Sequence, residues 1–404
     1  MSERESAEPR WLVPPRLRTI ADGAEERRAT WLELFFDLVF VVAIAQLSQE
    51  LTVDHSLDGF LRFAGLFVPV WVAWQGFSFY ADRFDTDDLL FRLAYFAAML
   101  AIAAMAILAR DVAHGESSAG FAVSYIVLRS IMLALYARAW RAVPDARPLI
   151  RFYGLGYGLG VLIWLASLGV DTPARYLMWG VALVVDLSLP PIAAKTLHQR
   201  VPTSGRHAAE RWALFTMIVL GESVVVVALG TAGSNWHLES ATAAVLGAAT
   251  VAAVWWLYFD RQDSIELRGG TPNVVIYSYA HLPLLMALAA TSAGLELLIA
   301  RAGEGSLGLG PTTAYVGGVV VFLVSLVAAR WVTISGPHRV GASLKLGTAA
   351  ILVLLIVIEG VLPPVALAAV LASVLWALVV TERTLLPPRP AAESEGSAAQ
   401  DRRS

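Results

Sequence analysis

The chain is 404 residues long, 57% apolar and only 16% charged, with a formal net charge of −3 and a mean hydropathy of +0.63. Such a composition, spread over repeated long apolar runs, excludes an ordinary soluble domain and describes a polytopic membrane protein. The absence of cysteine excludes a disulfide framework, a thiolate metal site and a cysteine nucleophile, and the scattered single histidines argue against a polyhistidine metal centre.

The first thirty residues mix Arg, Glu and Pro without an apolar run, so residues 1–30 read as a solvated cytoplasmic tail and not as a cleaved signal peptide. Segments long enough to span a bilayer follow at 32–51, 59–81, 90–109, 119–140, 150–169, 175–193, 211–231, 240–260, 274–300, 312–332, 345–361 and 365–381. The last two are short and separated only by Leu362 to Pro364, where a tight hairpin or a broken helix is expected. Residues 384–404 are Pro, Ala, Ser and charge, the composition of a disordered tail. Basic residues then set the orientation. One set of connections holds Arg83, Arg138, Arg141, Arg147, Arg151, Lys195, Arg200, Arg206, Arg211, Arg261, Arg268, Arg339 and Lys345, and the other only Arg62, Arg110, Arg175 and Arg301. Both termini are therefore expected to face the cytoplasm of a bacterial inner membrane.

The chain also repeats itself. Tyr80-Ala81-Asp82-Arg83-Phe84-Asp85 ends the second span, and Tyr258-Phe259-Asp260-Arg261-Gln262-Asp263 ends the eighth. Leu34-Phe35 and Leu214-Phe215 recur at a similar offset, roughly 180 residues, at the start of the first and seventh spans. The pattern predicts an all-α polytopic membrane protein of about twelve transmembrane helices, built as two parallel six-helix repeats over 31–200 and 201–383.

Charge inside a span costs about 2.5–3.5 kcal/mol on insertion scales, so each case asks for a partner or a wet cavity. In the seventh span Arg211, Phe215, Ile218 and Glu222 share a helix face, with Glu222 roughly 16 Å beyond Arg211. Gly221 and Ser223 flank that acid; glycine permits close helix approach and serine can hydrogen-bond a carboxylate. The first span carries Glu33 and Asp37 one turn apart, on a face continuing through Phe40 and Ile44. Glu33 also suits the first turn of a helix, while Asp37 sits deeper than an interfacial residue. His281, next to Pro283 in the ninth span, could serve a proton relay or a kinked, hydrogen-bonded packing site. Asp82 and Arg83, Asp260 and Arg261, and the group His207, Glu210 and Arg211 could either gate a cytoplasmic entrance or anchor helix ends. Arg129 and Asp186, opposite charges at mid-membrane depth, are expected to pair. The thirteen tryptophans, Trp71, Trp74, Trp255 and Trp256 among them, suit interfacial belts and packing.

Two stretches, Thr30 to Ser48 (TWLELFFDLVFVVAIAQLS) and Arg206 to Ser223 (RHAAERWALFTMIVLGES), together with Tyr279-x-His281, resemble the bacterial low temperature requirement protein A family over roughly Arg28 to Arg383. The resemblance implies a multi-helix inner-membrane protein linked by its family name to growth in the cold, without implying a reaction. Phe35-Phe36-Asp37 is also similar to the FSD motif on the first helix of a potassium-channel family whose animal members carry two six-helix repeats. Phe36 stands where that motif has serine, Trp31 where it has arginine, and Thr216-Met217 where the second half would have Ser-Asp, so a pore of that kind is not implied.

No phosphate loop, HExxH pair or nucleophile elbow is present, and no basic surface suits nucleic acid. The expected partners are the lipid bilayer and a proton or small cation, with no cofactor and no resident metal. The reading is a non-enzymatic secondary transporter or ion-conducting protein that uses Asp37 and Glu222. The alternative is a membrane stress-response scaffold or a lipid-handling enzyme.

Overall fold

A computed structural model describes residues 11–18, 30–113, 116, 118–197, 205–233, 237–260, 267, 270–333 and 339–385. Most of both expected tails, and Arg261 of the second YxDRxD motif, lie outside these residues. Twelve helices among the described residues are long and apolar enough to cross a membrane. They are α1 (Trp31–Val53), α2 (Leu57–Arg83), α3 (Leu89–Ala113), α4 (Ser118–Ala142), α5 (Arg147–Ser167), α6 (Ala174–Thr196), α7 (Gly205–Gly233), α8 (Leu238–Phe259), α9 (Thr271–Ala300), α10 (Leu309–Arg330), α11 (Arg339–Val357) and α12 (Pro364–Leu385). The short final pair of spans is a hairpin, α11 and α12 being joined by a 3-10 turn at Glu359–Val361.

The helices sort their apolar residues between two surroundings. On α1, Phe36, Phe40, Ile44, Leu47 and Leu51 are buried at helical spacing, while Trp31, Phe35, Leu38 and Val42 are at least half exposed. Outward Leu100, Ile107, Val184 and Leu229 continue that apolar surface around the bundle. A continuous apolar exterior of this kind has lipid as its solvent, and helices satisfy their backbone groups internally there. The chain is a multi-pass membrane protein.

Helix ends are set by capping chemistry. Thr30 and Glu33 form a capping box on α1, with Glu33 N donating to Thr30 Oγ1 at 3.3 Å and Thr30 N to Glu33 Oε2 at 3.2 Å. Ser56 caps α2 by accepting from Gly59 N at 3.2 Å.

Packing follows a similar neighbour scheme in α1–α6 and α7–α12, except that α2 also packs on α4 in the first set and α9 on α12 in the second. In the first, α1 packs on α2 and α3, α2 on α3 and α6, α3 on α4, α4 on α5 and α5 on α6. In the second, α7 packs on α8 and α9, α8 on α9 and α12, α9 on α10, α10 on α11 and α11 on α12. Between the halves, α1 meets α7 and α9, and α2 meets α7 and α9. The most enclosed span is α9, 78% buried over its apolar window against 33% for α7 and α11, so it is the central post of the bundle. Its crossing with α10 is closer than a side chain permits. A Cβ on Gly294 would stand 2.3 Å from Tyr315 N, and one on Gly318 would stand 2.3 Å from Thr291 Oγ1. A π turn at Thr313–Gly317 lies within that crossing.

Because successive spans alternate in direction, odd helices begin and even helices end on one face, here called the basic face after its arginines. Residues 11–18 dock there, which the composition of the amino-terminal tail did not announce. Strand β1 (Arg16–Leu17) pairs antiparallel with β2 (Phe84–Asp85) directly after α2. Val13 N donates to Asp88 Oδ2 at 2.9 Å, and Arg138 bridges Asp88 and the Val13 carbonyl.

Candidate functional site at the seam of two helices

Helices α1 and α7 both start on the basic face and lie side by side. Asp37 precedes Ser48 by three helical turns, and Arg211 precedes Glu222 by the same interval. Two residues three turns apart on each of two parallel helices must meet at two levels, about 16 Å apart. The seam does so.

At the lower level Arg211 is clamped by both acids of α1. Its Nη1 lies 3.2 Å from Glu33 Oε2 and its Nη2 lies 2.9 Å from Asp37 Oδ1. All three side chains are buried, Asp37 completely. Trp74 Nε1 of α2 donates to the same Asp37 oxygen at 2.7 Å, and Arg211 Nη2 also reaches Ser78 Oγ at 3.3 Å. The Trp74 ring lies under the guanidinium, 5.5 Å from its carbon. Glu33 therefore does two jobs, capping α1 and pairing with Arg211. Asp37 Oδ2 has no hydrogen-bond partner.

Between the levels the seam is aromatic. Phe215 stacks on Trp74 at 4.3 Å and an interplanar angle of 10°, meets Phe40 edge-on at 6.4 Å, and Trp212 crosses Trp74 at 4.4 Å. Trp71 and Trp74 are thus packed inside the bundle and do not form an interfacial belt.

At the upper level Glu222 is 8% exposed, with Ser48 of α1 and Glu296 of α9 beside it. Ser48 Oγ lies 2.8 Å from the Ala289 carbonyl and also within hydrogen-bonding reach of Glu222, so its one O–H can serve either acceptor. Glu222 Oε2 has no hydrogen-bond partner, and no cation pairs with this acid among the described residues. Ser223, the next residue, turns to α9 and bonds Ser292 Oγ at 2.6 Å. Asp37 and Glu222 therefore share a seam but no partner.

His281 of α9 joins a third set of groups next to the aromatic layer. Its Nδ1 is 2.8 Å from the Tyr277 carbonyl, so Nδ1 carries a proton; in the neutral ring Nε2 then accepts from Tyr258 Oη, also at 2.8 Å. Trp212 packs on the imidazole at 5.0 Å. The remaining expected residues divide between two clefts at the basic face. Asp82 and His207 line one of about 290 Å³, open space included, together with Gln75, Ser78, Arg211 and Trp212. Asp260 lines the other with Trp256, Arg330, Glu382 and Arg383. Glu210 is half-buried near the start of α7. Arg83 turns away from Asp82 and stacks over Phe79 and Tyr153. Arg129 and Asp186 pair at 3.0 Å, both buried.

Ser48, Trp74 and Ser78 were not singled out from sequence for this site. Ser48 does lie three turns beyond Asp37, the same interval that separates Arg211 from Glu222, and that matched spacing was the available signal.

Residues 28–380, which contain the whole seam, match the family of bacterial low temperature requirement A proteins (LtrA). An uncharacterized protein of Rhizobium meliloti (strain 1021) is 29% identical over 304 residues, covering 69% of this chain and 72% of that protein.

Proposed function

The chain belongs to the bacterial low temperature requirement A family, and from that premise we propose that it carries a proton or small cation across the bacterial inner membrane along the α1–α7 seam. The observation that carries this reading is Glu222: a buried carboxyl inside a span, with a free oxygen and no basic partner among the described residues. An acid kept at that depth without a counter-ion is a default candidate for an ion or proton path. Ser48, whose hydroxyl can donate to or accept from the acid, suits a Glu222 that exchanges a proton or cation, and the nearby Glu296 offers a second carboxyl towards the face opposite the basic one.

In this reading Glu222 binds the transported ion. The Glu33–Asp37–Arg211 cluster closes the seam towards the basic face, and the Phe40, Trp74 and Phe215 layer separates the two levels. Asp82 and His207 line the entrance, Asp260 marks the corresponding place in the second half, and His281 with Tyr258 forms an adjoining hydrogen-bonded relay. The similar neighbour schemes of α1–α6 and α7–α12 support two parallel repeats that rock against each other at this seam. The weighting of arginine to one set of connections supports cytoplasmic termini. No covalent chemistry is assigned.

Proteoliposomes test this directly. Proton and alkali-cation flux is expected in wild type, abolished in Glu222→Gln and strongly reduced in Asp37→Asn; flux retained in both variants would sink the assignment.

A further inference from the structure

A second buried polar region lies within the first half, away from the seam, between α2, α4, α5 and α6. Arg83 closes α2 at the basic face and is 2% exposed, yet it forms no ion pair among the described residues. One Nη makes a long 3.4 Å contact to the Phe79 carbonyl, and Nε has no partner. The hydroxyls of Tyr136 and Tyr153 lie beside this guanidinium, whose N–H groups point towards their oxygens, but their own O–H groups meet no acceptor. Two turns deeper, Arg129 donates Nε to Tyr125 Oη and Nη2 to Asp186 Oδ2, each at 3.0 Å, but its Nη1 is also unpartnered. That nitrogen occupies space left by Gly76, whose absent Cβ would stand 3.0 Å from it.

The two guanidinium groups bracket a stack of rings. Arg83 lies 5.4 Å from the Tyr153 ring and Arg129 lies 4.6 Å from the Tyr157 ring, while Tyr153 and Tyr157 are 5.4 Å apart and Tyr136 and Tyr153 are 5.7 Å apart. Four side chains therefore hold unspent donors around one column. The acceptor side is poorer. Asp186 keeps one free oxygen, Oδ1, and the Asp82 carboxylate next to Arg83 lines the cleft on the α7 side. Arg83 and Arg129 are balanced in charge by Asp82 and Asp186, but neither aspartate takes up the free Arg83 Nε or Arg129 Nη1.

Unpaired donors at this depth cost free energy, and two of them belong to permanent cations whose planar forks match a carboxylate. We propose that this column binds a small carboxylate monoanion, held between Arg83 and Arg129 and hydrogen-bonded by Tyr136 and Tyr153. The anion satisfies the orphaned donors of both guanidinium groups and both phenols in one step. Arg83 ends α2 at the basic face, directly before β2, and none of the four side chains belongs to the α1–α7 seam, so occupancy of the column is independent of the ion at Glu222.

The test uses purified full-length protein in lipid nanodiscs, titrated with sodium acetate against sodium chloride at constant ionic strength and read by intrinsic fluorescence and thermal unfolding. Wild type is expected to give a saturable acetate response that chloride does not. Loss of one charge-assisted hydrogen bond in Tyr153→Phe should weaken it about tenfold or more, and Arg83→Gln should abolish it, while Glu222→Gln binds as wild type. Because Tyr153→Phe keeps the ring stack, its effect remains interpretable if Arg83→Gln fails to fold. An acetate response equal to that of chloride, or one unchanged in Tyr153→Phe, would show that the column holds only water and would overturn the proposal. Stronger binding of inorganic phosphate than of acetate would overturn the carboxylate assignment. The readout is binding, so its failure leaves the flux experiment on Glu222 untouched.

Discussion

The seam contains two acids solved in opposite ways. Asp37 is completely buried beside a guanidinium, an indole N–H and a second carboxylate, whereas Glu222 is buried beside a neutral serine hydroxyl and a glutamate of its own sign. Both groups lie on the inner faces of parallel helices, three turns apart, with aromatic rings between them. The difference is in what each helix supplies: α7 answers the acids of α1 with Arg211, but α1 answers Glu222 with Ser48. A paired carboxylate in a low-dielectric interior is a structural clamp that resists change, and an unpaired one is free to exchange what it holds.

The largest expected effect comes from unpairing the clamp. Arg211→Leu leaves Glu33 and Asp37 buried without a cation, and should cost about 3–5 kcal/mol in denaturant unfolding of the detergent-solubilised protein. Combining it with Glu33→Gln and Asp37→Asn should recover much of that loss, since the uncompensated charges go with it. A single variant costing less than about 1 kcal/mol would mean that Arg211 is not what holds the seam shut. Next in size is Trp74→Phe, which keeps the ring between Arg211 and Phe215 and removes only the N–H bonded to Asp37. About 1.5–3 kcal/mol is expected by the same assay.

Much of this arrangement was legible from sequence, and its gaps have physical causes. Long apolar runs gave twelve spans with boundaries close to those observed, because hydropathy and length decide bilayer crossing. The faces Asp37–Phe40–Ile44 and Arg211–Phe215–Ile218–Glu222 were visible from helical spacing alone, since side-chain direction repeats along a helix. What spacing does not contain is which face meets which. The Arg211 clamp joins residues on the first and seventh spans, so it was read only as one option for a helix entrance. Composition leaves Trp74 open between an interfacial belt and packing, and its stacking against Trp212 and Phe215 takes it into the core. Arg83 and Asp82 are neighbours in one sequence motif, but adjacent positions on a helix point about 100° apart, so Asp82 lines a cleft while Arg83 stacks on Tyr153.

Outside the membrane, Asp88 shows the paired solution in a form that pH can address. Burial opposes its ionisation, but the Phe91 and Val13 N–H groups and Arg138 together hold its carboxyl below the usual carboxylate range. A group whose folded-state pKa is depressed contributes stability above its unfolded value, near 3.8, and loses it as pH falls through the lower folded value. The docking of residues 11–18 should therefore hold from neutral pH down to about pH 4 and release below it. Limited proteolysis near Trp11 against pH checks this. Asp88→Asn should weaken docking by roughly 1 kcal/mol and remove the acid transition; a transition unchanged in that variant would assign it to another group.

The smallest expected stability change is at Glu222, and it is the most informative. If the acid were a packing element, Glu222→Gln would disturb its contacts with Ser48 and α9 and lower unfolding stability measurably. If it holds a mobile ion, the neutral amide should fit the same space at a cost within about 0.5 kcal/mol, while flux falls to background. Glu222→Asp divides the two roles further. Shortening the side chain by one methylene withdraws the carboxyl from Ser48 yet preserves a titratable group, so partial flux with altered pH dependence is expected. A Glu222→Gln protein that is destabilised as much as Trp74→Phe, and still conducts, would make the upper level of the seam a second clamp and end the contrast with Asp37.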